Sequence, residues 1–286
     1  SNLKGDIGVF SLTDEKLVFK FNFYKKRLKK NDKIINLVST NNVIIAADNL
    51  GYIYCIDYKK NKLKWAKNYL IPFRSNLKIE NDILYLSDEK NNILLINLQN
   101  GEKIFDLYTQ PSKTVSKFNS TLAFDNNNNL LFLSTTGSLY SLDMLNNQTI
   151  NWIQNFNLDN EIIFNAKPLS VIDNIIIVST DDNINALNTS GRKLWELNIK
   201  STVKPIISGD TILTITDENF LVLIRKNTGQ IIYSKNIYSM LNDKEKKKYE
   251  RKSGKIDHVF LFNKKLLVIS ENSYFIEIKL DNIIAL

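Results

Sequence analysis

Short runs of apolar residues, many alternating with polar ones, recur along the whole chain, broken at intervals of roughly eight to twelve residues by polar turns. Clear runs are VIIAAD at 43–48, ILYLSD at 83–88, LLFLST at 130–135, IIIVST at 175–180, ILTITD at 212–217 and LLVIS at 266–270. Most of these lead through a turn into a second run, which ends in a hairpin and a third. The copies of that hairpin are Gly8–Phe19, Gly51–Trp65, Asn92–Phe105, Gly137–Trp152, Ile184–Trp195, Phe220–Tyr233 and the stretch from Tyr274 to Leu286. In each copy an alternating strand comes first, often closed by Asp or Asn (Asp57, Asn97, Asp143, Asn188). A turn rich in Asn, Gly, Lys and Thr follows. A last strand then reaches an aromatic at Phe19, Trp65, Phe105, Trp152, Trp195 or Tyr233. Looser strands precede some copies, at Ala166–Val171 and Val203–Ser208.

Taking Val9, Cys55, Leu95, Ser141, Ala186, Leu223 and Glu277 as equivalent points, the spacings are 46, 40, 46, 45, 37 and 54 residues. Four short strands in a period of about 45 residues are the sequence form of a propeller blade. The expected fold is all-β: a β-propeller of four-stranded blades, with seven recognisable repeats. The first copy lacks its two inner strands, and eight blades are favoured over seven. One domain spans residues 1–286, with a Lys/Glu-rich insertion at about 239–255.

The physics of stacking accounts for the repeated residues. A four-stranded sheet cannot bury both faces alone, so blades stack on one another. A large aromatic in the outer strand fills the space where blades splay apart. An Asp or Asn before the turn accepts backbone N–H groups and holds its shape. The six aromatics are therefore expected to dock blade on blade.

Composition narrows the function. The 286 residues are 43% hydrophobic and 24% charged, enough for a core. The formal net charge is +8, but the Lys residues are scattered, and no basic element is interleaved with aromatics, so nucleic acid is not the expected partner. Roughly forty Asn and few Arg or Gly indicate a biased coding sequence. The single Cys55 excludes an internal disulfide and a Cys-rich metal site, and its apolar run places it in the core. No apolar stretch is long enough for a membrane helix, and no signal peptide is visible. The opening Ser1-Asn2 reads as a scar of tag removal.

The hairpin unit resembles the quinoprotein-type propeller repeat, Ala-x-Asp-x-x-Thr-Gly-Lys-x-x-Trp. Asn97–Phe105 and Arg225–Tyr233 keep its spacing, including Gly101 and Thr228-Gly229; Ala186–Trp195 is one residue shorter, and Cys55–Trp65 lacks the Gly. Quinone-dependent dehydrogenases share this repeat, but one class needs adjacent cysteines and another a His base. Cys55 stands alone, and the lone His258, beside the Lys-rich insertion, is expected at the surface or at a strand start. The chain is more similar to the BamB-like family, non-enzymatic subunits of the outer-membrane β-barrel assembly machine. Ile44–Ile79 looks like a blade of that family, and Asn236–Leu241 looks like its short helical linker.

The resemblance implies a periplasmic, outer-membrane-associated monomer without cofactor, metal or catalytic residues. Its protein partner would be the barrel-assembly subunit, held by interblade loops, and any membrane contact would run through a partner or lipid anchor. Within the linker Tyr108–Ser120, the implied contacts are Val115, Lys117 and Phe118. Phe73 and Arg74 form a second expected pair, since an aromatic beside Arg is a common interface anchor. The linker Ser239–Lys255 is expected to hold a short solvated helix. A quinone-dependent enzyme and a general protein- or ligand-binding propeller remain the alternatives.

Overall fold

The computed structural model describes residues 1–286 except 12, 15, 25–31, 112–118, 145–147, 158–163, 263–264 and 281–286. The chain groups into two compact units, Ser1–Leu122 and Ala123–Leu286. Among the described residues the strands form seven antiparallel sheets, each joining neighbours in chain order.

The first unit holds a two-stranded sheet, β1 (Asp6–Ser11) and β2 (Lys16–Asn22). It also holds two four-stranded sheets. One is β3 (Ile35–Thr40), β4 (Val43–Asp48), β5 (Tyr52–Asp57) and β6 (Lys62–Asn68); the other is β7 (Lys78–Glu80), β8 (Ile83–Ser87), β9 (Ile93–Asn97) and β10 (Lys103–Leu107).

The fourth sheet starts at the boundary with β11 (Thr121–Phe124) and continues through β12 (Leu130–Leu133), β13 (Ser138–Asp143) and β14 (Thr149–Asn155). The fifth is β15 (Ser170–Ile172), β16 (Ile175–Ser179), β17 (Ile184–Asn188) and β18 (Lys193–Leu197). The sixth is β19 (Ile206–Ser208), β20 (Thr211–Ile215), β21 (Phe220–Arg225) and β22 (Ile231–Asn236). A single 3-10 turn, Ile237–Met240, and helix α1 (Asp243–Lys252) lead to a three-stranded sheet, β23 (Ile256–Phe262), β24 (Lys265–Ser270) and β25 (Phe275–Lys279).

Position in the sheet sets the composition of each strand. The second strands are buried along nearly their whole length, as in β12 and β16, so they read as continuous apolar runs. The outer strands alternate, as in β14, because one face meets water. The first strands β15 and β19 shrink to three residues beside Pro168 and Pro205, which cannot donate to a ladder.

One register recurs in six sheets. Val9, Cys55, Leu95, Ser141, Ala186 and Leu223 pair with Phe19, Trp65, Phe105, Trp152, Trp195 and Tyr233 respectively. A β-bulge follows each pair, leaving one extra residue in the outer strand: Val18, Lys64, Ile104, Asn151, Leu194 or Ile232. The bulge bends the strand and re-aims the aromatic beside it. Val18, Ile104 and Leu194, the extra residues, stand exposed.

Candidate protein-docking surfaces

Each Trp in an outer strand reaches the hairpin turn of the next sheet. Trp65 Nε1–H donates to the Leu98 carbonyl at 3.0 Å, Trp152 Nε1–H to Thr189 at 2.8 Å, and Trp195 Nε1–H to Lys226 at 2.8 Å. In each turn a glycine lies under the indole. A Cβ on Gly101 would sit 2.5 Å from Trp65, one on Gly191 2.6 Å from Trp152, and one on Gly229 2.9 Å from Trp195. These glycines also have positive φ, +70°, +81° and +75°. They serve two purposes: a left-handed turn residue within one sheet, and an empty space for the ring of the sheet before it. Tyr69 O–H adds a 2.6 Å bond to the Gly101 carbonyl, and burial pushes its phenol up to about 12, with Glu102 adding to the rise. Phe19 packs with Tyr58 and Leu63, while Tyr233 packs against the core of the last two sheets.

The polar residues before the hairpins hold the turns. Asp57 Oδ1 accepts from Lys60 N–H at 2.9 Å, Asn97 Oδ1 from Gln99 N–H at 2.8 Å, and Asn188 Oδ1 from Arg192 N–H at 2.9 Å. A second set of turn-holding residues has no counterpart in the sequence reading. Asp48 Oδ1 accepts from Leu50 and Tyr52 N–H, and Asp88 Oδ1 from Lys90 and Asn92 N–H, all within 2.9 Å. Thr180 and Thr216 do the same with their hydroxyls. The signal is present in the sequence, because an Asp or Thr ends the second run and Asn or Gly follows within four residues. Asp48 also accepts from Tyr24 O–H at 2.6 Å; burial, with Asp48 next, raises the Tyr24 pKa well above the usual phenol range.

The residues named for quinone chemistry lie apart. Cys55 is buried in the second sheet, and burial pushes its thiol up to about 11. His258 lies on the exposed face of β23, where Nδ1 meets Asp257 Oδ2 at 2.9 Å. Among the described residues no group of three or more His, Cys, Asp or Glu is placed to hold a metal ion.

The expected contacts Val115, Lys117 and Phe118 fall within 112–118, outside the described residues. Phe73 is corrected. Only 1% of it is exposed, and its ring packs edge-on to Tyr69 inside the core of the second and third sheets. An apolar ring that a core already encloses offers nothing to a partner, so the Phe73–Arg74 pair reduces to Arg74. Arg74 is half-buried, and among the described residues its Nε is shielded without a hydrogen-bond partner. α1 carries basic residues in its last turn, Arg251 and Lys252, and is polar along its length.

A family model described as outer membrane protein assembly factor BamB matches residues 4–235. The chain belongs to the BamB family. Among solved structures, the crystal structure of BamB from Moraxella catarrhalis is similar at a TM-score of 0.71 and 12% identity; the match covers 98% of this chain and 84% of that one. The computationally designed Ika8 protein is similar at a TM-score of 0.65 and 11% identity, over 97% of this chain and 91% of that one. These likenesses support the β-propeller fold. No curated protein matches the sequence. The sheets agree with seven to eight blades: five of the seven are complete at four strands.

Proposed function

We propose that this BamB-family chain is a non-catalytic scaffold of the outer-membrane β-barrel assembly machinery, working in the periplasm. The single observation that carries this reading is the family match across residues 4–235, which runs through six of the seven hairpin copies. The scaffold holds the barrel-assembly subunit through loops between sheets. Val115, Lys117 and Phe118 supply one contact and Arg74 a second. Arg74 is half-buried, and the exposed part of its guanidinium can pair with a carboxylate that a partner brings. The reading needs no quinone, and neither Cys55 nor His258 has a role in it.

A pull-down on the periplasmic domains of the barrel-assembly subunit tests the proposal. Wild-type chain is expected to be retained, and Arg74→Ala to be retained less. A chain that folds, ignores the subunit, and instead binds pyrroloquinoline quinone with Ca²⁺ saturably and oxidises an alcohol would replace the scaffold by an enzyme.

A further inference from the structure

The seam between the fifth and sixth sheets is closed at one end by Trp195 and Gly229. Towards the other end it stays open as a groove of about 550 Å³. Its apolar floor includes Ile199 and Phe220, both packed on the core shared by the two sheets. Its rim carries Asp182, Asp217 and Glu218 against a single ammonium, Lys200. Three carboxylates and one cation leave the groove anionic on a chain whose formal net charge is +8.

The rim is built rather than incidental. Asp182 comes from the turn Thr180-Asp181-Asp182-Asn183, and Asp217 and Glu218 from Thr216-Asp217-Glu218-Asn219. These are the same turn in consecutive sheets, and each is held by its threonine hydroxyl, which accepts from Asn183 N–H at 3.0 Å and from Phe220 N–H at 3.1 Å. Among the sheets, only these two have the pattern Thr-Asp-acid-Asn at that turn. The segment between β18 and β19 is tied to the second turn by Asp217 N–H donating to the Lys200 carbonyl at 3.1 Å. Neighbouring acids are already engaged: Asp181 accepts from Asn165, and Glu196 pairs with Lys193. Among the described residues, Asp182, Asp217 and Glu218 have no side-chain hydrogen bond or ion pair.

We propose that this groove docks an extended, arginine-bearing segment of a protein partner. The aliphatic stem of an arginine suits a floor of Ile199 and Phe220, while its planar fork meets carboxylates arriving from two turns. Apolar side chains two positions away, on the same face of an extended strand, would settle on the floor, as in other strand-in-groove recognition. The inference rests on the scaffold reading only in taking the partner to be a protein.

The probe is a fluorescein-labelled pentapeptide with arginine at its centre, valine two positions to either side and threonine between them, followed by anisotropy, with a twin in which neutral citrulline replaces arginine. The arginine peptide is expected to bind saturably, and the citrulline peptide about tenfold more weakly or worse. The double variant Asp217→Asn/Glu218→Gln is expected to lose about tenfold with its melting temperature unchanged, while Asp210→Asn, on the same sheet outside the groove, stays within about twofold of wild type. Equal affinity for both peptides, indifference to the double variant, or absence of saturable binding overturns the proposal. A failed peptide titration with a positive pull-down removes the groove and leaves the scaffold standing. A bound peptide with a negative pull-down does the reverse.

Discussion

An indole in one sheet and a glycine in the next form one structural unit in this chain, repeated at Trp65–Gly101, Trp152–Gly191 and Trp195–Gly229. Alanine at Gly191 would meet Trp152 at 2.6 Å and carry a φ of +81°, whereas alanine at Gly209 faces open space with a φ of +54°. Gly191→Ala should therefore cost about 2–3 kcal/mol and Gly209→Ala about 1 kcal/mol, read from urea midpoints. Equal losses would mean that the ring does not depend on the missing Cβ. Cys55 allows a second check. Because burial raises its thiol to about 11, the thiolate is scarce at every pH below that, and native protein should react slowly with a disulfide reagent at pH 8. Unfolded protein, with its thiol back near its ordinary value, should react quickly; fast native labelling would contradict the packing of the second sheet. The aromatics and turn-holders were legible because each is local to its hairpin. The part played by the glycines was not, since Gly191 faces an indole 39 positions earlier, and sequence order gives no hint of that contact.

At the level of strands and turns, period and order were readable, while lengths and irregularities were less so. Four-strand units and the polar helix α1 follow from spacing and patterning, and the short 3-10 turn after β22 from the family resemblance. The bulge after each aromatic pair did not show, because an extra residue in an outer strand looks like ordinary alternation until the register is known. The second turns were also missed as held turns, although Asp88 accepts three hydrogen bonds there, from Lys90 N–H, Asn92 N–H and the Asn92 side chain. Asp88→Ala leaves two backbone donors without this acceptor and should cost about 1–2 kcal/mol. Hydrogen exchange should rise at the Lys90 and Asn92 amides and stay unchanged at α1; unchanged exchange at both amides would show that water replaces the carboxylate at no cost.

For the whole molecule, the repeat is the mark of the BamB family. The features that repeat serve stacking and turns, as Trp152 on Gly191 and Asn188 on its own hairpin illustrate. What distinguishes one copy from another lies in linkers and turns: Arg74, the segment 112–118, and the paired acidic turns at 180–183 and 216–219. Phe73 shows the limit of reading such places from sequence. An aromatic beside an arginine has the composition of an interface anchor, but burial depends on long-range packing that the dipeptide does not encode. The most direct test of the scaffold role is calorimetric titration of the periplasmic domains of the barrel-assembly subunit into the intact chain. The account predicts saturable one-to-one binding, weakened by Arg74→Ala and unaffected by added pyrroloquinoline quinone and Ca²⁺. No heat of binding from a correctly folded chain would contradict it.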